Sequence, residues 1–519
     1  MAQGALLKMQ VRPVREEPLE CRRLTANTEL MNSAGAGKEG TQANARAPSG
    51  GGLRTARFLL RTLLGLAVTS AMLRALRGRC EAPPNDSAMV PGSFRRGCRP
   101  GLGAPSRRPD CHEAWSSRGA ASEAGQAGTP QRPAPPAAMP TPFAVSLPRV
   151  APAPRSGPLQ TAAAAAITPV MLLALMLISP LVKDAEAAVV RPLPARVLRV
   201  LRQAPLTWEL FSAWEFAVTV AAVAAVRPEL CCRFLADDGL AELRYGSRPE
   251  QTLLLFEAGS SKVAQPLVVF VHGGSWSHSR HWMYRLIGRR FAAKGFATAV
   301  IGYGQYPSST VREMVSDVSD AVDWLRRGGR RCIDPSRVFL LGHSSGGHLC
   351  TLAALAGGCV GLSGMAALSS PMDIADHYAW EQGRGVADIS ALHPAHGGEA
   401  NFAAFSPTRL VRGLPRGAAP ALMPPLFIGH GTEDWTVPPE ASERFVDAFA
   451  GAGGEVVFRR WEGLGHFSIL GALMGFPVGA EADAAAEDLE VFMHRCLADG
   501  KARGASAGPG TRMEAVKQS

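Results

Sequence analysis

The 519 residues contain no C-x-x-C pair and no H-E-x-x-H. Zinc-ribbon, dithiol-redox and zincin chemistries, which need those spacings to bring ligands or thiols together, are thereby excluded. The ten cysteines are scattered, with only Cys231 and Cys232 adjacent. Cys332, Cys350, Cys359 and Cys496 fall in a portion large enough to build a core without disulfides, and are expected to be reduced. His278 with His281 and His393 with His396 have no cysteine set beside them, so they are expected to be satisfied or exposed rather than metal ligands. Nor do aromatic residues interleave with the amino-terminal arginines, as they do on a nucleic-acid surface, so no nucleic-acid partner is inferred.

What is present is unevenly distributed. Residues 1–150 hold 21 Lys and Arg against 10 Asp and Glu, so the whole formal charge of +11 sits there. This Ala/Gly/Pro/Arg-rich stretch has no sustained apolar period and is expected to form a disordered extension over 1–160. An Arg-rich, Ser-containing leader also suits an organellar transit peptide, although Glu16, Glu17 and Glu20 lie where such peptides avoid acids.

Two longer apolar runs follow a short one at 62–73, which is too brief to span a bilayer. Residues 161–182 carry no charge and are expected to form a membrane-spanning or anchoring helix. Flanking basic residues are fewer before it (Arg149, Arg155) than after it (Lys183, Arg191, Arg196, Arg199, Arg202). As a single span it would leave the carboxyl-terminal portion cytosolic. A second run at 204–226, within a 183–242 segment, mixes Trp208 and Trp214 with Glu209 and Glu215, and is read as either spanning or interfacial.

From about Leu243 the texture changes. "PLVVFVHGG" (266–274), "FATAVIGY" (296–303), "RVFLLG" (337–342), "MAALSS" (365–370), "PPLFIGHG" (424–431) and "EVVFRRWEG" (455–463) read as strands. Between them lie helical stretches at about 279–294, 310–326, 348–357 and 438–454. Alternation of this kind predicts an α/β domain over 243–498 with a mostly parallel sheet. Residues 371–420 interrupt it as an insertion above the sheet, and 499–519 read as a disordered tail.

Within "VFLLGHSSGGHL" (338–349), Ser344 sits in G-x-S-x-G directly after a strand and before a helix, the setting of a nucleophile elbow. A second match centred on Ser506 has neither element. Ser345 would put His343 where the tight turn needs a small residue, so Ser344 is the candidate nucleophile. Its hydroxyl needs a base. Asp434 in "GHGTEDWTVP" (429–438) and His466 in "EGLGHFSI" (462–469) follow later strands in the Ser, Asp, His order of an α/β-hydrolase. Glu433 is a weaker alternative acid, His430 reads as a loop-fixing residue, and His343 and His348 lie too near the elbow to serve as base. "HGGSW" (272–276) would supply oxyanion donors from Gly273 and Gly274, joined by the Ser345 amide. Trp276, Tyr378 and Trp380 are candidates for apolar pocket walls. The chemistry needs no metal and no organic cofactor.

With these residues in view, about 243–497 resembles the α/β-hydrolase carboxylesterases with an H-G-G motif. The chain is most similar to the plant prenylcysteine methylesterases through "LRYGSRPEQTLLLFEAG" (243–259), "GYGQYPSSTVREMVSDVSDAV" (302–322), "DPSRVFLLGHSSGGH" (334–348), "ADHYAWEQGRGV" (375–386) and "FSPTRL" (405–410). The resemblance implies hydrolysis of the methyl ester on C-terminal prenylated cysteine, at endoplasmic reticulum or Golgi membranes with the hydrolase domain facing the cytosol. Alternatives are an arylformamidase-like amidase, a general lipid or carboxylic esterase, and a hydrolase-like binding protein without turnover.

Overall fold

The computed structural model describes residues 144–506, save 179–183, 237–239, 241, 259–262, 329 and 331. The expectations for residues 1–143, the short run at 62–73 among them, and for 507–519 lie outside the described residues.

Helices come first: α1 (Pro158–Ile178), α2 (Ala185–Val190), α3 (Ala195–Arg202), α4 (Pro205–Val226) and α5 (Pro228–Leu235). Then β1 (Glu242–Arg244), β2 (Thr252–Phe256) and β3 (Gln265–Val271) lead through a 3₁₀ turn at His281–Tyr284 into α6 (Arg285–Ala293) and β4 (Ala297–Ile301). After α7 (Val311–Arg327) come β5 (Ile333–His343), α8 (Ser345–Leu355) and β6 (Gly364–Leu368). The insertion holds only helices: α9 (Ile374–Arg384), α10 (Leu392–Ala395), a 3₁₀ segment Glu399–Phe405, α11 (Pro407–Arg412) and α12 (Ala419–Leu422). The chain closes with β7 (Leu426–Gly431), α13 (Glu440–Gly451), β8 (Val456–Trp461), α14 (Ser468–Met474) and α15 (Ala480–Ser506).

The eight strands lie in the order β1-β2-β4-β3-β5-β6-β7-β8. Pairing of β1, β2 and β4 is antiparallel, and every neighbour from β4 onward is parallel. Parallel strands need both faces covered, which is why β3 reads as an unbroken apolar run. Its alternate side chains serve two cores. Leu267, Val269 and Val271 pack with Val311, Val315, Val318 and Val322 of α7 and Leu349 and Leu352 of α8. Val268 and Phe270 face the other way, onto Leu286 and Phe291 of α6, Leu473 of α14 and Leu489 and Met493 of α15.

Helix α7 begins where a capping box predicts: Thr310 Oγ1 accepts from the Glu313 amide at 3.5 Å, and Glu313 Oε2 accepts from the Thr310 amide at 2.7 Å. Further differences from the sequence reading have local causes. The helix expected over 279–294 starts with a 3₁₀ turn, and β1, β2, α14 and α15 were not anticipated; α15 continues through Ser506, so the stretch expected as tail from 499 is helical that far. Short strands at the antiparallel edge and an Ala-rich helix carry weak periodic signals.

The two apolar helices pack on one another, with Thr168 Oγ1 3.5 Å from Thr207 Oγ1. Both are long and apolar enough to cross a membrane. Yet each has one face turned to protein. Along α1, Ala164, Thr168, Met171, Leu172 and Leu175 form a buried stripe, whereas Leu159, Val170, Leu173, Met176 and Leu177 are at least half exposed. On α4 the polar residues form the tie: Ser212 Oγ accepts from the Ser279 amide at 2.9 Å, and Glu215 Oε2 accepts from Ser279 Oγ at 2.8 Å. Glu209 pairs with Arg280, and Glu215 Oε1 lies 3.1 Å from His278 Nε2.

One buried carboxylate joins the antiparallel edge to α7. Asp317 is fully buried and accepts from Gln251 Nε2 and from the Gly304 amide, both at 2.9 Å, and from Arg248. Replacing it strands three donors, so Asp317→Ala is expected to lower unfolding free energy by about 3 kcal/mol, read from the urea midpoint.

Candidate active site

The parallel sheet directs three loops to its carboxyl edge. Ser344 follows β5, Asp434 follows β7 and His466 follows β8, although 122 residues separate the serine from the histidine. The structure brings all three together. His466 Nε2 lies 3.0 Å from Ser344 Oγ, and His466 Nδ1 lies 2.8 Å from Asp434 Oδ2. All three are buried.

Ser344 is held at φ 53°, ψ −127°, a conformation rare for any residue with a Cβ. Two close approaches enforce it. A Cβ on Gly342 would lie 2.5 Å from the backbone of Gly346, and one on Gly346 would lie 2.2 Å from the carbonyl oxygen of Val271. The Ser344 amide donates to Leu368 O on the neighbouring strand at 2.8 Å, so the sheet itself anchors the turn. The serine oxygen is thereby lifted off the strand towards the histidine.

Asp434 sits in a cradle of donors. Oδ1 accepts from the amides of Thr436 at 3.0 Å and Val437 at 2.8 Å, and Oδ2 lies 3.1 Å from His430 Nε2. Burial alone would raise its pKa, but the charge of His466 and the hydrogen bonds from His430 and His466 outweigh it and hold the carboxyl well below the usual range. His430 also donates to Val437 O at 2.9 Å and accepts from Ser442 Oγ at 2.7 Å, which fits its reading as a loop-fixing residue. Glu433 lies beside this cradle in sequence, but the carboxylate bonded to His466 is that of Asp434.

His343 has a task that its position in the motif did not suggest: Nε2–H donates to the backbone oxygen of His466 at 2.8 Å. Burial lowers its pKa to about 3, so the ring is neutral. His348 donates to Phe405 O at 2.8 Å and accepts from the Trp276 indole at 3.3 Å, linking the elbow helix to the insertion. Of the histidine pairs, His278 and His281 face Glu215 and Glu242, His396 is buried against Leu392 O, and His393 packs on Tyr378. Among the described residues no group of His, Cys, Asp and Glu is arranged to hold a metal.

The H-G-G loop runs beside the serine, where a Cβ on Gly273 would come within 3.0 Å of Ser344 Cβ. Gly274, Ser275 and Trp276 all have positive φ, at 117°, 47° and 60°, which twists the loop into a tight concavity. Among the described residues, no hydrogen bond engages the amides of Gly273, Gly274 or Ser345.

A cavity of about 340 Å³ opens over Ser344 and Ser345. Trp276 lines it while remaining almost fully buried. Tyr378 and Trp380 do not. On α9 the residues facing the cavity are His377, Glu381 and Arg384, spaced by four and three; each one position off that stripe, Tyr378 packs on Phe402 and His393, and Trp380 on Trp435. Much of the apolar wall comes from Met171 and Leu175 of α1 and Trp208, Phe211 and Trp214 of α4, with Val190, Val386, Ile389 and Val437 beside them. The spacing of those three aromatics by three was legible in "TWELFSAWEF", but it suits a membrane interface as well as a pocket wall.

The strand order and the loops at the carboxyl edge define an α/β-hydrolase of the serine carboxylesterase class. The family profile described as BD-FAE matches residues 254–373. The chain is similar to the probable isoprenylcysteine α-carbonyl methylesterase of Oryza sativa subsp. japonica, at 27% identity over 286 residues, 53% of this chain and 68% of that one. It is also similar to the isoprenylcysteine α-carbonyl methylesterase of Arabidopsis thaliana, at 25% identity over 285 residues, 52% of this chain and 65% of that one. These matches span about half of this chain and about two thirds of the relatives' lengths. Among solved structures, esterase B from Lactobacillus rhamnosis is similar at 20% identity and a TM-score of 0.45, covering 56% of this chain and 99% of its own.

The elbow geometry predicts that Gly346→Ala, which drives a Cβ into Val271 O, displaces Ser344. Labelling of Ser344 by a fluorophosphonate is expected to slow by about 10²-fold, with far-ultraviolet circular dichroism unchanged.

Proposed function

We propose that the protein is a membrane-associated serine carboxylesterase that hydrolyses the methyl ester of prenylcysteine through an acyl-enzyme. One observation carries the catalytic part: Ser344 Oγ, both ring nitrogens of His466 and Asp434 Oδ2 form a continuous hydrogen-bonded line, at 3.0 and 2.8 Å. His466 Nε2 takes the serine proton as Ser344 Oγ attacks the ester carbonyl. Asp434 keeps the Nδ1 proton in place and stabilises the imidazolium without taking a proton itself. The amides of Gly273, Gly274 and Ser345 receive the developing oxyanion. The imidazolium then gives its proton to the departing alcohol, and water, activated by the same histidine, releases the acid.

The substrate class is supported by the similarity to plant methylesterases and by the apolar wall that α1 and α4 add to the cavity. Membrane association is supported by the same helices, both long and apolar enough to cross a membrane, with Leu173, Met176 and Leu177 exposed on α1 and Val218 on α4. An endoplasmic reticulum or Golgi location with a cytosol-facing hydrolase domain fits that reading.

An active-site fluorophosphonate is expected to label the wild type and not Ser344→Ala; absence of labelling on the folded wild type overturns the esterase reading. Compared on one preparation, farnesylcysteine methyl ester is expected to give a higher kcat/KM than short acyl esters or N-formylkynurenine. Equal or lower values would leave an esterase but remove the prenylcysteine assignment.

A further inference from the structure

The wall of the cavity is largely apolar but carries polar side chains from several elements, α9 among them. There His377 and Glu381, one turn apart, are each more than nine-tenths buried and both border the space above Ser344. Glu381 Oε1 accepts from Ser390 Oγ at 2.9 Å. Its Oε2 has no hydrogen-bond partner, and neither has His377 Nδ1. Native interiors rarely leave buried polar atoms unpaired, and those that do occur ask for an explanation.

The other charges at the cavity do not supply it. Arg384 is bonded through Nε and Nη2 to Asp184 at 3.0 and 2.8 Å, and again through Nη2 to Glu186 at 2.9 Å. His278 faces Glu215. Four acids therefore border the cavity, Asp184, Glu186, Glu215 and Glu381, and the two cations are bonded to the first three. Burial consequently pushes the Glu381 carboxyl up to about 7 and the His377 ring down to about 3. The neutral imidazole turns Nε2 towards Glu381 Oε1, 3.7 Å away. With the proton on that nitrogen, Nδ1 is a bare acceptor. Two acceptors, one of them acidic, are thus left unpaired on residues that line the same cavity as the serine.

We propose that His377 and Glu381 form a subsite for a primary ammonium group on the substrate, so that the preferred ester is that of an S-alkylated α-amino acid whose amino group is free. A primary ammonium has donors for both atoms and brings the positive charge that burial denies the carboxylate. A peptide-bound or N-acylated residue has one N–H and no charge, and leaves one acceptor unpaired. The proposal rests on the esterase reading of Ser344 and refines it: the free amino acid ester, rather than an ester still attached to a protein, fills the cavity.

The test uses full-length protein in detergent with two substrates, S-farnesylcysteine methyl ester and its N-acetyl counterpart. Wild type is expected to favour the free amine by about tenfold or more in kcat/KM, because a site built for a donor rejects the analogue lacking it. In Glu381→Gln that ratio is expected to fall to near one through a rise in KM for the free amine, with Glu381→Asp retaining part of the preference. His377→Ala is the second variant and should lower the same ratio. Fluorophosphonate labelling of Ser344 checks that each variant is folded. Equal or better hydrolysis of the N-acetyl ester by wild type, or an unchanged ratio in both variants, overturns the subsite while the esterase reading stands. A wild type that neither labels nor cleaves either ester overturns both.

Discussion

The strained turn at Ser344 is the constraint on which the site depends. A serine at φ 53° is tolerated only because Gly342 and Gly346 let three backbone segments meet where side chains would collide. The strain is held by the sheet, since the Ser344 amide bonds to β6 and the segments on either side are β5 and α8. Pre-organisation thus comes from the parallel core, and the loops carrying Asp434 and His466 need only converge on a point already fixed.

A second constraint acts from above. The insertion and the amino-terminal helices share the roof over that point, and polar contacts fasten the two to each other, Arg384 to Asp184, and the helices to the hydrolase domain, Ser212 and Glu215 to Ser279. Two acids within an apolar helix look anomalous as a membrane feature, and Glu209 and Glu215 are explained once they face Arg280 and His278. The helices combine an outward face of lipid-like composition with an inward face that shapes the cavity.

Much of this was legible in the sequence where signals were local and strong. The continuous apolar run of β3 announced a strand buried on both sides, and the order of glycine-flanked serine, aspartate and histidine marked the three residues that the sheet brings together. Pocket walls were less legible, because they depend on which way a helix turns. Tyr378 and Trp380 are the right residue types on the right helix, but its cavity face begins at His377. Likewise Trp208, Phe211 and Trp214 had the spacing of a stripe without any indication of what the stripe would meet. His343 could not be assigned its bond to His466 O from sequence, since the partner is a backbone atom 123 residues away.

The surroundings of Asp434 carry one further consequence. A carboxylate offers about four lone-pair positions, and here two amides, His430 and His466 occupy them. A positive charge arising on His466 therefore meets dipoles that are already aligned. Water around the same ion pair would have to reorient with each proton transfer, whereas this shell stays still, so the reorganisation cost of the step is met when the protein folds.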